Sequence, residues 1–359
     1  MAEQKAQKVV VGMSGGVDSS VALLLLKEAG YKPVGVSLKY ATWCAPRQKE
    51  NVCCTEESLA LAAKICRGLG VQHYVVDVGD DFRRGVIDYC VRELKNQRTP
   101  SPCVFCNPNL KFKKLVDFAR KMGIDKVATG HYARVKFNAK TKFYELWKAK
   151  DMTKDQTYSL CFLPQKYLAK VIFPLGAMTK AQVYARASKE KGFEIFEKRA
   201  QSQDFCFVSG ADWSDFVRQR VRPQAGEIRD GTGKILGTHQ GLALYTIGQR
   251  RGLKLSGGPY YVVGKDIKNH YLIVSTGRRA GSRKRVILEN IHWTGGEAGD
   301  GRVMAKIRST QALRPGKLKI KTRRSGEIIF DHAVAGITPG QIAVFYRRGR
   351  CLGGGVIKS

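Results

Sequence analysis

The β-branched run Val9-Val10-Val11 breaks directly into Gly12-Met13-Ser14-Gly15-Gly16-Val17-Asp18-Ser19-Ser20, and this in turn into Val21-Ala22-Leu23-Leu24-Leu25-Leu26. Such a sequence reads as a buried strand, a tight turn and a helix N-terminus. Gly15 and Gly16 let the backbone approach a phosphate closely, and the exposed N–H groups with the helix dipole supply partial positive charge. Ser14, Ser19 and Ser20 add hydroxyl donors. The turn therefore predicts an anion cradle at the end of a sheet strand.

Glycines after a strand are a weak signal, but the whole string Ser14-Gly15-Gly16-Val17-Asp18-Ser19-Ser20 is specific. It lacks the Lys of a Walker loop and the spacing of a dinucleotide fold. It resembles the pyrophosphate (PP) loop of the ATP pyrophosphatase superfamily, whose members adenylate an oxygen and release pyrophosphate. That resemblance implies that Asp18 helps hold Mg²⁺ beside the phosphates, a role suited to hard carboxylate oxygens.

The rhythm after the loop supports an α/β fold. Lys32 to Leu38, Val71 to Val78 and Lys126 to Thr129 read as strands; Leu59 to Leu69, Val86 to Leu94 and Phe112 to Met122 read as helices. This alternation predicts a doubly wound parallel sheet, with ligands at the C-terminal strand ends. A hairpin-like segment, Phe143 to Leu146, and a helix from Lys180 to Gly192 follow. Beyond about residue 210 the composition shifts to glycine-rich, β-branched segments. These begin with a predicted hairpin, Gly226 to Gly237, turning at Asp230-Gly231. Short strands from Val303 to Ile357 suggest a small barrel or sandwich. The shift predicts a domain boundary near residue 210.

The chain has 359 residues, with 63 Lys and Arg against 30 Asp and Glu, a formal net charge of +33. A polyanionic partner rewards that excess through counterion release, which makes nucleic acid the leading candidate. No stretch approaches the roughly 20 apolar residues needed to span a bilayer, and Met1 to Lys5 carries no apolar leader core, so the expectation is a cytoplasmic protein without membrane attachment. Ten cysteines in that setting do not predict a disulfide framework. Cys53, Cys54, Cys66, Cys90 and Cys161 lie in apolar or helical surroundings and read as small buried hydrophobes.

Cys103, Cys106 and Cys206 differ. Cys103 and Cys106 sit in a proline-bounded segment, Thr99 to Phe112, that reads as a stiff loop leading into a helix. A helix N-terminus with Arg98 and Lys111 nearby predicts a depressed thiol pKa and a good nucleophile. Thr129-Gly130-His131 follows a strand and is suited to placing backbone and imidazole against a ligand. Lys154-Asp155-Gln156 is a polar run, and Cys206 lies in a short apolar segment far along the chain.

Taken in order, the glycine loop, Cys106-Asn107, Thr129-Gly130-His131-Tyr132-Ala133, Lys154-Asp155-Gln156 and Cys206-Phe207 resemble the tRNA-specific 2-thiouridylases. Gly237-Thr238-His239-Gln240-Gly241, Thr246 to Gly252 and Thr338-Pro339-Gly340-Gln341 extend the likeness over nearly the whole chain. The resemblance implies a PP-loop catalytic domain over 1–210, a small central α+β domain over 211–285 and a C-terminal β-barrel over 286–359. It further implies ATP, Mg²⁺, the anticodon arm of a tRNA thiolated at C2 of its wobble uridine, and sulfur from a relay protein or free sulfide. Cys106 matches the nucleophile and Cys206 the persulfide carrier. Gly12, Met13, Ser14, Gly15, Gly16, Val17, Asp18, Ser19, Leu38 and Gly130 match nucleotide-binding positions. Ser101, Pro102, Cys103, His131, Lys154, Asp155, Gln156, Arg308, Ser309 and Gln341 match tRNA-binding positions.

In one place the chain departs from the pattern: Ser101-Pro102-Cys103 stands where many members carry Asn-Pro-Asp. Cys103, Cys106 and Cys206 together offer three thiolates for a [4Fe-4S] cluster, as in some related tRNA thiolases. Sulfur transfer through a Cys106–Cys206 persulfide relay and transfer through a cluster both stay open at this point. So do two other classes: a PP-loop enzyme adenylating a small molecule, and an RNA-binding protein with a decayed nucleotide site.

Overall fold

The computed structural model describes residues 6–40, 43–44, 55–198, 208–209, 213–277 and 279–359. Cys206, Cys53 and Cys54 lie outside these described residues. Strand β1 (Lys8–Gly12) is central in a five-stranded, all-parallel sheet. It lies between β2 (Lys32–Lys39) and Lys126–Thr129, with His73–Asp77 outside β2 and Val171–Ile172 on the opposite edge. The chain reverses its direction of progress across the sheet between β1 and Lys126–Thr129, which opens a crevice at their C-terminal ends.

The valines of β1 explain why both faces are covered. Val9, Val10 and Val11 are all fully buried, and successive side chains on a strand point to opposite faces. Val9 and Val11 join the core containing α1 (Val17–Glu28) and α2 (Glu56–Gly68). Val10 joins a second core with Phe82, Val86, Leu94 and Leu115 from helices behind the sheet. Removing those three side chains from water contributes about 1.5–3 kcal/mol each.

The segment expected as a stiff loop before residue 112 is helical instead. Pro102–Cys106 forms a helical turn, Asn107–Lys111 a wide π-turn, and Phe112–Lys121 a regular helix. Proline is tolerated at the first helical position, where its missing N–H has no intrahelical partner to lose. The second proline, Pro108, falls where the helix is widened, so the path continues through it.

A four-stranded sheet, Ile235–His239, Gly226–Arg229, Tyr271–Ser275 and Tyr261–Asp266, follows. Its first hairpin turns at the expected Asp230-Gly231, where the Asp230 carboxylate accepts from Thr232 N and Lys234 N. Six strands then close a barrel. Arg283–Trp293 pairs with Ser325–Val334 on one side and with Arg350–Ile357 on the other, around a core of Val286, Leu318, Phe330 and Phe345.

One connection joins the two ends of the chain. The hairpin Arg134–Asn138 and Phe143–Trp147 belongs to the first part of the sequence, yet it extends the barrel sheet through Arg350↔Trp147 and Cys351↔Leu146. Leu146 is fully buried there. Beside it the buried Glu145 accepts from Asn138, Trp147 and Arg350; desolvation opposes its charge, and these bonds still hold its pKa below the usual value. Among the described residues, no helix is long and apolar enough to cross a membrane.

Candidate active site

The glycine loop is built almost wholly by its own residues. Ser14 N donates to Ser19 Oγ at 3.2 Å, while the Ser19 and Ser20 hydroxyls donate to Gly16 O at 2.9 and 3.1 Å. Gly16 caps α1 without a side-chain hydrogen bond, so no side chain competes for the helix N-terminus. Gly15 has φ +72°, and a Cβ on it would lie 2.3 Å from Ser58 O, at the start of α2. A Cβ on Gly130 would lie 2.6 Å from the Asp18 carbonyl carbon. The Thr129-Gly130 strand end is thus pressed against the first turn of α1, as an anion cradle at the crevice requires. Leu38 and Met13 are both buried, and Met13 N donates to Val36 O at 2.8 Å.

Asp18 has partners no motif announced. Lys180 Nζ donates to both carboxylate oxygens, at 2.7 and 2.8 Å, and the Tyr132 hydroxyl donates to Oδ1 at 2.8 Å. Lys180 starts the helix Lys180–Ala187, which Thr179 and Gln182 cap reciprocally. That capping box predicts the helix and says nothing of its reach to residue 18. Among the described residues no group of three or more His, Cys, Asp or Glu could hold a metal. A Mg²⁺ held by one carboxylate and substrate phosphates needs no such group, and Asp18 fits that arrangement once Lys180 yields an oxygen.

The cysteines correct the expectation of depressed pKa values. Cys106 is 7% exposed, and burial pushes its pKa up to about 11 despite Lys111. Cys103 is exposed, yet closely surrounding protein also raises its pKa, with Lys111 acting in the opposite direction. Desolvation of the thiolate outweighs the positive charge and the helix N-terminus that sequence reading relied on. The expectation for Cys66, Cys90 and Cys161 as buried thiols holds.

The remaining predicted residues divide between open and internal positions. Lys154, Gln156 and Ser309 are exposed, like Cys103. Ser101 and Pro102 are buried. Asp155 accepts from Ala149 N at 3.0 Å and from the Thr157 hydroxyl at 2.6 Å. Arg308 donates to Ile247 O and to the Thr338 hydroxyl. Gln341 Nε2 donates to the carbonyls of Thr99 and Pro100 at 3.3 and 2.9 Å. Asp155 is held locally, whereas Arg308 and Gln341 join distant segments of the chain, because polar atoms removed from water need partners.

His131 is half-buried between Phe112 and Phe173, with Nδ1 2.7 Å from the Thr129 hydroxyl. Burial first, and Lys111 second, lower its pKa well below the ordinary value, so the ring is neutral at physiological pH. One segment joins the two chemical centres. Gln156 bonds to the backbone of Tyr132, and three residues later Ser159 O accepts from Asn107 Nδ2 at 2.8 Å, directly after Cys106.

Comparison with known proteins covers the same ground. A family model described as a tRNA methyl transferase HUP domain matches residues 7–210. A tRNA methyl transferase PRC-barrel domain matches 214–276, and an aminomethyltransferase beta-barrel domain matches 283–357. The chain is 39% identical to a tRNA-specific 2-thiouridylase of Roseiflexus castenholzii, over 98% of this chain and 99% of that protein. It is 41% identical to the one of Synechocystis, over 98% and 97%. A U34-tRNA thiolase of Methanococcus maripaludis with its [4Fe-4S] cluster aligns at 18% identity and TM-score 0.32, over 60% of this chain and 70% of that one, too remote to bear on the chemistry.

Proposed function

This chain belongs to the tRNA-specific 2-thiouridylase family, and from that membership we propose that it replaces the C2 oxygen of the wobble uridine in tRNA with sulfur, using ATP. The C2 oxygen is a poor leaving group. Adenylating it at the Ser14–Ser19 loop makes AMP the group that sulfur displaces. Loop amides and the N-terminus of α1 stabilise charge on the departing pyrophosphate. Asp18 would hold Mg²⁺ beside the phosphates, where the ion would supply neutralisation of charge on the leaving group. Cys206 carries sulfur as a persulfide. Cys106, deprotonated in the reaction because burial raises its pKa, attacks the inner sulfur, so that a Cys106–Cys206 disulfide forms as the persulfide S–S bond breaks. The expelled sulfide-level sulfur displaces AMP from C2, and an external thiol reductant returns both cysteines to thiols. Lys154, Gln156 and the basic surface engage the anticodon arm, whose wobble base must leave its stack to be reached.

The observation that carries this reading is the shared support of the two centres. Residues 156–159 bond to Tyr132, which reaches Asp18, and to Asn107, which adjoins Cys106. Such a scaffold suits adenylation and sulfur transfer at one base. The family-model descriptions speak of methyl transfer, whereas a glycine loop backing an uncapped helix N-terminus suits a polyphosphate.

Unmodified tRNA transcripts incubated with ATP, Mg²⁺ and a persulfide donor should yield 2-thiouridine, with Cys106→Ala and Cys206→Ala inactive. No product from the wild type defeats the proposal. ATP–pyrophosphate exchange that ignores tRNA points to a small-molecule substrate, and absence of exchange under every condition to a decayed site. A second reading rests on Cys103 and Cys106 lying three residues apart in one helical turn, which fits two of three thiolates for an iron–sulfur cluster with Cys206. Anaerobic purification with iron and labile-sulfide analysis decides it: a colourless, iron-free, fully active protein rules the cluster out.

A further inference from the structure

Tyr132 occupies a place that the thiolation reading does not by itself explain. It is 2% exposed, lies between the expected nucleotide contact Gly130 and the strand Arg134–Asn138, and makes three hydrogen bonds. Its hydroxyl donates to Asp18 Oδ1 at 2.8 Å. Its backbone N–H donates to Gln156 Oε1 at 2.9 Å, and its carbonyl accepts from Gln156 N at 2.9 Å. Gln156 therefore grips Tyr132 at both backbone polar groups. The N–H donor also fixes the Gln156 amide: its oxygen must face Tyr132, leaving the two amide hydrogens on the exposed side.

Lys180 alone already neutralises Asp18, since its ammonium bonds to both oxygens. The phenol adds no charge. It adds direction, a second donor from another element that sets the rotation of the carboxylate. If Lys180 yields an oxygen to a metal–nucleotide complex, the tyrosine bond stays to hold that rotation. The ring is buried and fixed to its backbone by few torsions, so a displacement imposed on Tyr132 N and O moves the hydroxyl as well.

We propose that Tyr132 is a positioning residue that couples occupancy of Gln156 by tRNA to the orientation of Asp18, so that ATP is used efficiently only when the substrate is seated. This deepens the thiolation reading and rests on it. Coupling of this kind typically amounts to a factor of about 5–150.

The test measures AMP formation at saturating tRNA relative to tRNA-free protein, together with equilibrium binding of ATP without tRNA and of tRNA without ATP. Tyr132→Phe removes one oxygen and keeps the ring. It should lower the tRNA stimulation about tenfold while leaving ATP binding within about twofold, in the range of coupling energies between linked sites. Gln156→Ala should also lower the stimulation at saturating tRNA, and the double variant should be no worse than either single one, because both cut one connection. Wild-type stimulation in Tyr132→Phe overturns the proposal, as do additive effects or loss of tRNA-free ATP binding, which would mark a merely structural role. A wild type whose ATP use ignores tRNA fails differently: it removes the thiolation reading itself, and the coupling with it.

Discussion

The glycine loop and the cysteine segment are both short polar stretches next to a helix N-terminus, and they are held in opposite ways. Apart from the Asp18 carboxylate, which Lys180 and Tyr132 hold from far along the chain, the bonds that shape Ser14 to Ser20 run between residues no more than five positions apart. The stretch leading to Cys103 and Cys106 is held from outside. Thr99 N donates to Pro339 O at 2.9 Å, Gln341 Nε2 reaches the Thr99 and Pro100 carbonyls, and Lys265 Nζ donates to Gln97 O at 3.3 Å. Arg98 pairs with Glu93 at 3.0 Å and with Glu289 at 2.9 Å. A site made by one turn keeps its geometry wherever the turn is placed, whereas a site made by three parts of the chain exists only when they are assembled.

The largest expected effect tests the self-contained region. Gly130→Ala puts a methyl 2.6–2.8 Å from backbone atoms of Asp18 and Ser19, and backbone cannot swing aside. Misplacing the first turn of α1 by about 1 Å should lower tRNA-dependent ATP use about 100-fold. Near-normal ATP use would show that Gly130 does not need to touch the loop.

The next prediction concerns reactivity in the assembled region. With its pKa raised to about 11 by burial, Cys106 is a thiol at neutral pH, and only the thiolate attacks. Iodoacetamide labelling of Cys106, followed by peptide mass spectrometry, should rise about tenfold per pH unit from 7 toward 10. A plateau already reached at pH 8 would restore the depressed pKa expected from Lys111 and the helix N-terminus.

The smallest effect is expected from Gln341→Ala. It leaves two backbone carbonyls without a partner, at a cost of about 1–3 kcal/mol, read as a lower unfolding midpoint. Thiolation should fall more than ATP–pyrophosphate exchange, since the bond supports the cysteine segment and lies away from the glycine loop. Equal losses in both would mean the two regions are less separable than their hydrogen bonds indicate.

Much of the architecture was legible in the chain because it depends on short-range pattern. Val9-Val10-Val11 before glycines implies a central strand, the βα alternation implies a parallel sheet, and Asp230-Gly231 implies a hairpin. The expectation that the loop binds anions follows from backbone freedom and exposed amides, which neighbouring residues determine. The helical run through Pro102 and Pro108 was not legible, since local rules treat paired prolines as a stiff loop and a widened turn is settled by packing. Nor did any motif tie Lys180 to Asp18, 162 positions away, or Gln341 to Pro100.

By itself the sequence determined which groups are present and which local turns they make: the glycine loop, the thiols, the cationic excess. Only the tertiary structure decided what surrounds them, namely that Cys106 is buried, that Arg308 and Gln341 face inward, and that Tyr132 stands between Gln156 and Asp18. The physical reason is that desolvation and long-range hydrogen bonding depend on neighbours distant along the chain, and in this protein those neighbours set the charge and orientation of the reactive groups.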